Sequence, residues 1–286
     1  MNVSNGTNTQ EKRIDVNVSG VILTPLMCST IINEIIKCLL YEKSQIPYPY
    51  NWLKSMVNRK RGRENVEIKS TNYLVERHYR TVSVAYDSLE IVMNNINAEF
   101  KTDGSNINRV LILFGSTLYS ATEMYTIEVL NLITGHLEEN HVQSNSRNQH
   151  KVLRNIMFSE EWLQAMNRTI PPTNMYILIE KYGSKMYEEK PELEFHLTKR
   201  YTICSRVKNV SIILQCDRNV KYNCCNSLLI FEDKNSREGN CSKSNQDDEC
   251  TISNFNNDET LWFQSKTFIK GFKECFIKGV SASELW

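Results

Sequence analysis

The sequence predicts an α+β fold, and three observations lead there. Apolar residues recur at helical spacing in three separate stretches, and β-favouring runs cluster in the middle and second half. The resulting order of strand, helix, helix, strands, helix, strands lacks the regular alternation of a βαβ protein. With 286 residues, 41% hydrophobic and 23% charged, the chain can bury a sizeable core.

Residues 1–13 are rich in Asn, Thr and Ser and carry too little apolar surface to offset their ordering entropy, so they read as a loose, disordered tail. Structure is expected to begin near Ile14. Val16, Val18 and the stretch Val21 to Leu23 read as a first strand ending at Thr24-Pro25. Cys28, Ile31, Ile32, Ile35, Leu39 and Leu40 then follow helical spacing until Pro47 and Pro49, which lack amide donors. Val82, Tyr86, Leu89, Met93, Ile96 and Phe100 alternate steps of four and three, placing one apolar stripe along a second helix. The run Val110 to Phe114 and the alternating segment Met124 to Val129 predict two neighbouring strands joined by a turn. Glu138 to Gln149 is polar and loop-like, and a third helix carries Val152, Leu153, Ile156, Met157 and Leu163 before Pro171-Pro172. Further strands are expected at Met175 to Ile179, Leu193 to Ile203, Val210 to Leu214, Leu228 to Phe231, Leu261 to Phe263 and Phe268-Ile269. Between them, residues 232–259 read as a flexible insertion.

Charge and motifs exclude several functions. The 34 basic side chains balance 33 acidic ones, so no global field favours a nucleic acid. No apolar stretch approaches a membrane span, and the first twenty residues lack a hydrophobic signal region. The expectation is a soluble intracellular protein whose nine cysteines are reduced. There is no phosphate loop, paired-glycine dinucleotide turn, His-Glu-x-x-His or Gly-x-Ser-x-Gly elbow. Phe114-Gly115-Ser116-Thr117 reads as a plain turn. The cysteines and histidines show no Cys-x-x-Cys pair, so neither a metal nor a cofactor is expected, and no cysteine stands beside a base. Lys54 with Arg59, Lys60, Arg61 and Arg63 forms one basic cluster. Its plain reading is a solvated loop after the first helix; nuclear import and contact with an acidic partner surface are the alternatives.

Three segments together carry a family resemblance. The first runs from Lys37 through Tyr41-Glu42 and Gln45-Ile46-Pro47-Tyr48-Pro49-Tyr50 to Leu53-Lys54. The second is Arg109 to Gly115 followed by Glu123-Met124-Tyr125. The third is Leu261-Trp262-Phe263-Gln264 leading into Thr267 to Glu274. Taken in order, they resemble the comet family, checkpoint-silencing proteins that bind mitotic arrest deficient protein 2.

The resemblance implies a HORMA-like fold, three helices packed on a largely antiparallel sheet with a C-terminal safety belt that can wrap a peptide strand. It covers residues 14–274 as one domain and leaves 275–286 as a C-terminal extension. It implies an internal pseudo-ligand at Thr267 to Glu274, paired by strand addition, with Trp262, Phe263 and Phe268 supplying burial and Ile269, Lys270, Gly271 and Phe272 continuing the segment. It implies a nonenzymatic adaptor that binds the closed conformer of mitotic arrest deficient protein 2 and presents it to a Pch-type AAA+ ATPase, acting in the nucleus and cytoplasm and at the spindle or kinetochore. By position, the checkpoint-protein contacts are Glu42, Leu153, Ile156 and Met157, and the ATPase contacts are Lys190, Pro191 and Glu192. Glu42 replaces the family's glutamine, Leu153 its phenylalanine, and Glu192 its basic residue. The alternative is a structural HORMA module that grips an external peptide in meiosis or repair. Neither reading involves a nucleic acid or a membrane.

Overall fold

The unbroken apolar run Val110 to Phe114 is explained by a sheet buried on both faces. In the computed structural model, which describes residues 12–17, 21, 23–64, 72–130, 142–182, 194–198, 201, 207–215 and 260–286, alternate residues of the run part company. Val110, Ile112 and Phe114 enter the main core, whereas Leu111 and Leu113 join Leu118, Met124, Leu178 and Tyr201 in a smaller cluster on the opposite face.

That run lies in β2 (Ile107–Gly115), which pairs antiparallel with β3 (Ala121–Leu130) on one side and β4 (Asn174–Tyr182) on the other. Beyond β3, β6 (Lys208–Gln215) runs parallel to it, and β1 (Lys12–Asn17) runs parallel to β6. Beyond β4, β7 (Thr260–Ser265) lies antiparallel between β4 and β5 (Phe195–Thr198). The short β8 (Ile269–Lys270) continues along β4. The order β1-β6-β3-β2-β4-β7-β5, with β8 beside β4, is a largely antiparallel sheet of the HORMA-like kind.

The helices cover one face. α1 (Pro25–Glu42) starts where the Thr24 hydroxyl accepts from the Met27 amide at 3.3 Å, and Pro25 sits where a missing amide costs nothing. Its Ile31, Ile32, Ile35 and Leu39 are fully buried. α3 (Tyr73–Asp103) is capped by Asn72 and buries all six residues of the stripe Val82 to Phe100. α1 packs against both α3 and α4 (Val142–Met157). The tie from α3 to the sheet is ionic: Lys181 of β4 donates to Glu99 at 2.6 Å and to Asp103 at 3.0 Å, with its ammonium 5.1 Å from the Phe263 ring of β7. Burial opposes that charge, but the two carboxylates outweigh it and raise the lysine pKa above its usual value.

Several sequence expectations need correction. The first strand starts at Lys12, two residues inside the segment read as a tail, and ends at Asn17, so Val21 and Leu23 are buried but not strand. The basic cluster is no loop; it occupies α2 (Tyr50–Glu64), which buries Leu53, Met56 and Val57. The polar stretch read as loop to Gln149 is helical from Val142, and the expected third helix is two, α4 and α5 (Glu160–Met166). They break at Phe158-Ser159, where the Ser159 hydroxyl accepts from the Trp162 amide at 3.2 Å and starts α5. The expected strand at Leu228 to Phe231 and the insertion 232–259 lie outside the described residues.

Residues beyond Glu274 pack on α3. β9 (Phe276–Ile277) and β10 (Val280–Ser281) form a hairpin turning through Lys278 and Gly279, with φ of 51° and 85°, the left-handed pair a two-residue hairpin turn demands. A 3-10 turn, Ala282–Leu285, then brings the Trp286 ring to 5.3 Å from Tyr79 and 5.8 Å from His78. His78 Nε2 and Trp286 Nε1 are buried with no hydrogen-bond partner among the described residues. Burial holds the His78 pKa below the usual histidine value of 6.5, against the opposing pull of the Glu274 carboxylate. The unfolded chain therefore binds more protons than the folded one as pH drops below that value, and stability falls with it until the folded pKa is passed. Thermal melting should show a loss, as pH falls from neutrality through the usual histidine value, that the His78→Gln variant lacks. Identical pH profiles for the two proteins would contradict this.

Candidate partner-binding site

The end of α1 is shaped by buried polar groups. Helical hydrogen bonding stops as Ser44 takes a left-handed φ of 54° and donates its amide to Tyr41 at 2.9 Å, while the Gln45 and Ile46 amides both return to Leu40. The Lys43 side chain turns inward and donates to the carbonyls of Ala165 (2.6 Å) and Arg168 (2.8 Å) and to the Glu123 carboxylate (2.9 Å). These carbonyls end α5 and follow it, so one cation neutralises a helix C-terminus and binds α1, α5 and β3 together. Tyr125 donates its hydroxyl to Glu123 at 3.1 Å, and burial, with Glu123 adding to it, pushes that phenol well above its usual pKa.

Gln45 is fully buried and holds the next layer. Its Nε2 donates to the carbonyls of Lys43 and Ile170, and its Oε1 accepts from the Thr173 amide at 2.7 Å. Its own carbonyl accepts from the Phe272 amide at 2.8 Å, and the Gly271 amide donates to Thr173 at 2.7 Å. The turn after α1, the segment 169–173 and the C-terminal segment thus enclose an open groove of about 820 Å³, with Tyr41, Glu42, Ile46, Pro171 and Phe272 among its walls.

Expected contact residues fall into distinct environments. Glu42 is exposed on the groove rim beside Tyr41, which is 45% exposed. Ile156 is fully buried in the main core, and Leu153 and Met157 pack partly buried against it. The α4 face expected to meet a partner is therefore largely the face that holds α4 down, and Ile156 is a core residue. Phe158, just after α4 at the α4–α5 break, is 74% exposed, with the Arg154 guanidinium 5.7 Å from its ring centre. Leu163 of α5 is 52% exposed. Sequence spacing groups Leu163 with the core positions, and the Ser159 cap, which resets the helix phase, explains why it is not one. Lys190, Pro191 and Glu192 lie outside the described residues.

The segment expected as an internal pseudo-ligand is strand only in part. The strand held between two others is Thr260–Ser265, carrying Trp262 and Phe263, and only Ile269–Lys270 of the expected Thr267 to Glu274 continues the pairing. Thr267 and Phe268 fall in the break between β7 and β8, and Phe268 is 45% exposed rather than buried. Phe263, Ile269 and Phe272 are the buried aromatic and aliphatic groups of this segment. Trp262 faces the smaller cluster, 5.8 Å from Tyr201, with Arg109 5.3 Å from its ring. Of the cysteines near the groove, Cys38 is pushed up to about 11 by burial first and by Glu42 and Glu34 second, so it is a poor nucleophile at neutral pH.

Comparison with known proteins places these features. A mouse (Mus musculus) protein named MAD2L1-binding protein is 28% identical over 105 residues, a match that spans 37% of this chain and 37% of the mouse protein. A family model described as "p31comet: Mad1 and Cdc20-bound-Mad2 binding" matches residues 7–233 of the 286. That match takes in β1 to β6 and α1 to α5 among the described elements, and on it the chain belongs to the p31comet family.

Proposed function

We propose that this protein is a nonenzymatic adaptor that binds Mad2 in its closed conformer and presents it to a Pch-type AAA+ ATPase, silencing the mitotic checkpoint from the nucleus, cytoplasm and spindle. The observation that carries the reading is β7, a strand of the same chain held between β4 and β5. A HORMA-type sheet filled by its own chain has no vacant strand position there for a foreign peptide, which disfavours the peptide-gripping alternative and leaves an outer surface to do the recognition. Tyr41 and Glu42 at the groove, with Phe158 at the α4–α5 break and Leu163 on α5, supply that surface; aromatic anchors dominate such contacts. An adaptor directs remodelling only by differential affinity, so it must prefer one Mad2 conformer.

The test is capture of Mad2 locked closed or locked open on the immobilised full chain. Closed Mad2 should be retained and open Mad2 lost, and equal retention would overturn the reading. Phe158→Asp with Leu163→Asp should weaken capture roughly tenfold or more while melting stays unchanged. Ile156→Asp should instead lower the melting temperature, because it buries a charge in the core. Adding the ATPase and ATP should convert captured Mad2 to the open form, and Pro191→Ala should block conversion without affecting capture.

A further inference from the structure

Packing uses two of the five cations of α2. Lys60 is 7% exposed, with its ammonium 5.6 Å from the Tyr79 ring, and Arg61 pairs with Asp87 at 2.8 Å. Lys54, Arg59 and Arg63 remain exposed. The C-terminal segment runs beside the helix. Tyr48, packed on Phe272, lies with its ring tilted 4.4 Å from that of Trp52 near the start of α2, and Arg63 near its end donates to the Trp286 backbone oxygen at 3.0 Å.

That segment adds the exposed Lys273 and Lys278. Among the described side chains of residues 50–63 and 272–286, these five exposed cations face one exposed carboxylate, Glu284. Glu274 is half-buried and accepts hydroxyls from Tyr48 and Ser281. The whole chain carries a net charge of only +1, so the excess is local. The same surface leaves Trp52 (44%), Phe276 (64%), Val280 (41%) and Leu285 (44%) in solvent. Apolar groups framed by cations are the complement of a segment with apolar side chains in an acidic frame.

We propose that the exposed face of α2 and the C-terminal hairpin form a second docking surface, for an acidic peptide segment that carries apolar side chains. The cations steer and orient the segment, and Trp52, Phe276 and Val280 supply the burial that holds it. The surface meets the Glu42 groove at Lys273, which lines both, but its other cations lie beyond that groove.

The experiment measures anisotropy of a fluorescent synthetic peptide of about 14 residues, built from Glu and Asp with two Phe, against the full chain at low salt. Saturable binding is expected, weakened roughly tenfold or more by Lys54→Glu, Arg59→Glu and Lys278→Glu together. Phe276→Ser should weaken it while leaving the salt dependence alone. Capture of closed Mad2 should survive every one of these changes, which separates this surface from the one above. If the triple variant melts early, Arg59→Gln with Lys278→Gln replaces it, with a smaller loss expected. The proposal falls if the acidic peptide shows no saturable binding, if its all-lysine counterpart binds as well, if the folded variants bind as tightly, or if only phosphatidylserine vesicles bind.

Discussion

Replacing Gly271 by alanine should destabilise the protein by about 2–3 kcal/mol, the upper range for overpacking a site whose walls cannot retreat. A Cβ there would stand 2.8 Å from the Thr173 carbonyl oxygen, 2.9 Å from Gln45 Oε1 and 3.0 Å from the Thr173 amide nitrogen. Two of those atoms are backbone, and the third belongs to a fully buried side chain fixed by hydrogen bonds at both ends. Relief requires moving the C-terminal segment outward, which breaks the Gly271–Thr173 and Phe272–Gln45 bonds and withdraws Phe272 from the core. Urea denaturation reads the loss directly, and hydrogen exchange should show the 271 and 272 amides deprotected first. A change within about 0.5 kcal/mol would mean that this close approach does not exist in solution.

Lys43→Met should cost about 3–5 kcal/mol, because it strips the partner from a buried charge and leaves two carbonyls unpaired. The lysine side chain is 1% exposed and that of Glu123 10%, so water can replace little of what is lost. Within that pocket Glu123 would keep the Tyr125 hydroxyl, a weaker partner than an ammonium. Adding Glu123→Gln should restore a substantial part of the stability, since it removes the stranded charge. Equal losses in single and double variants would show that the ion pair is not the element at stake. The same lysine sets α5 against the end of α1, so the single variant should also weaken Mad2 capture even below its melting temperature.

Much of this fold is legible in the sequence, and the misses share a physical cause. α1, α3 and the strands β2 to β4 are readable because each buries a continuous apolar set with a clean period of 3.6 or 2. α2 escapes because its buried stripe of Leu53, Met56 and Val57 is finished by Lys60, whose stem packs while its charge sits over Tyr79. α4 begins with residues that carry no apolar period, so only its second half is visible. Ile269 rather than Phe268 is buried because the interruption at 266–268 moves the register by two and keeps the alternation, so Ile269 falls in phase with Phe263 and Ser265 while Phe268 falls in phase with Trp262 on the other face. At the candidate site, the helix end that carries Glu42 is legible because Pro47 and Pro49 mark where α1 must stop, and Glu42 lies exposed on the groove rim. Ile156 is misplaced because spacing marks which residues share a face, not whether that face turns to a partner or to the core. Phe158 could have been noticed, since it directly precedes Ser159-Glu160-Glu161, a sequence that begins a new helix.

The placement of β7 also bears on how the protein is made. Apart from its own continuation β8, this strand leaves the ribosome after every other strand of the sheet, and β5 pairs with β7 alone among the described strands. A nascent chain therefore carries an unclosed edge along β4 while residues 183–259 are synthesised, roughly 4–15 s at ordinary translation speeds. Apolar residues such as Ile177 and Ile179 stand on that waiting edge, so newborn molecules are the ones most open to chaperones and to mispairing with one another.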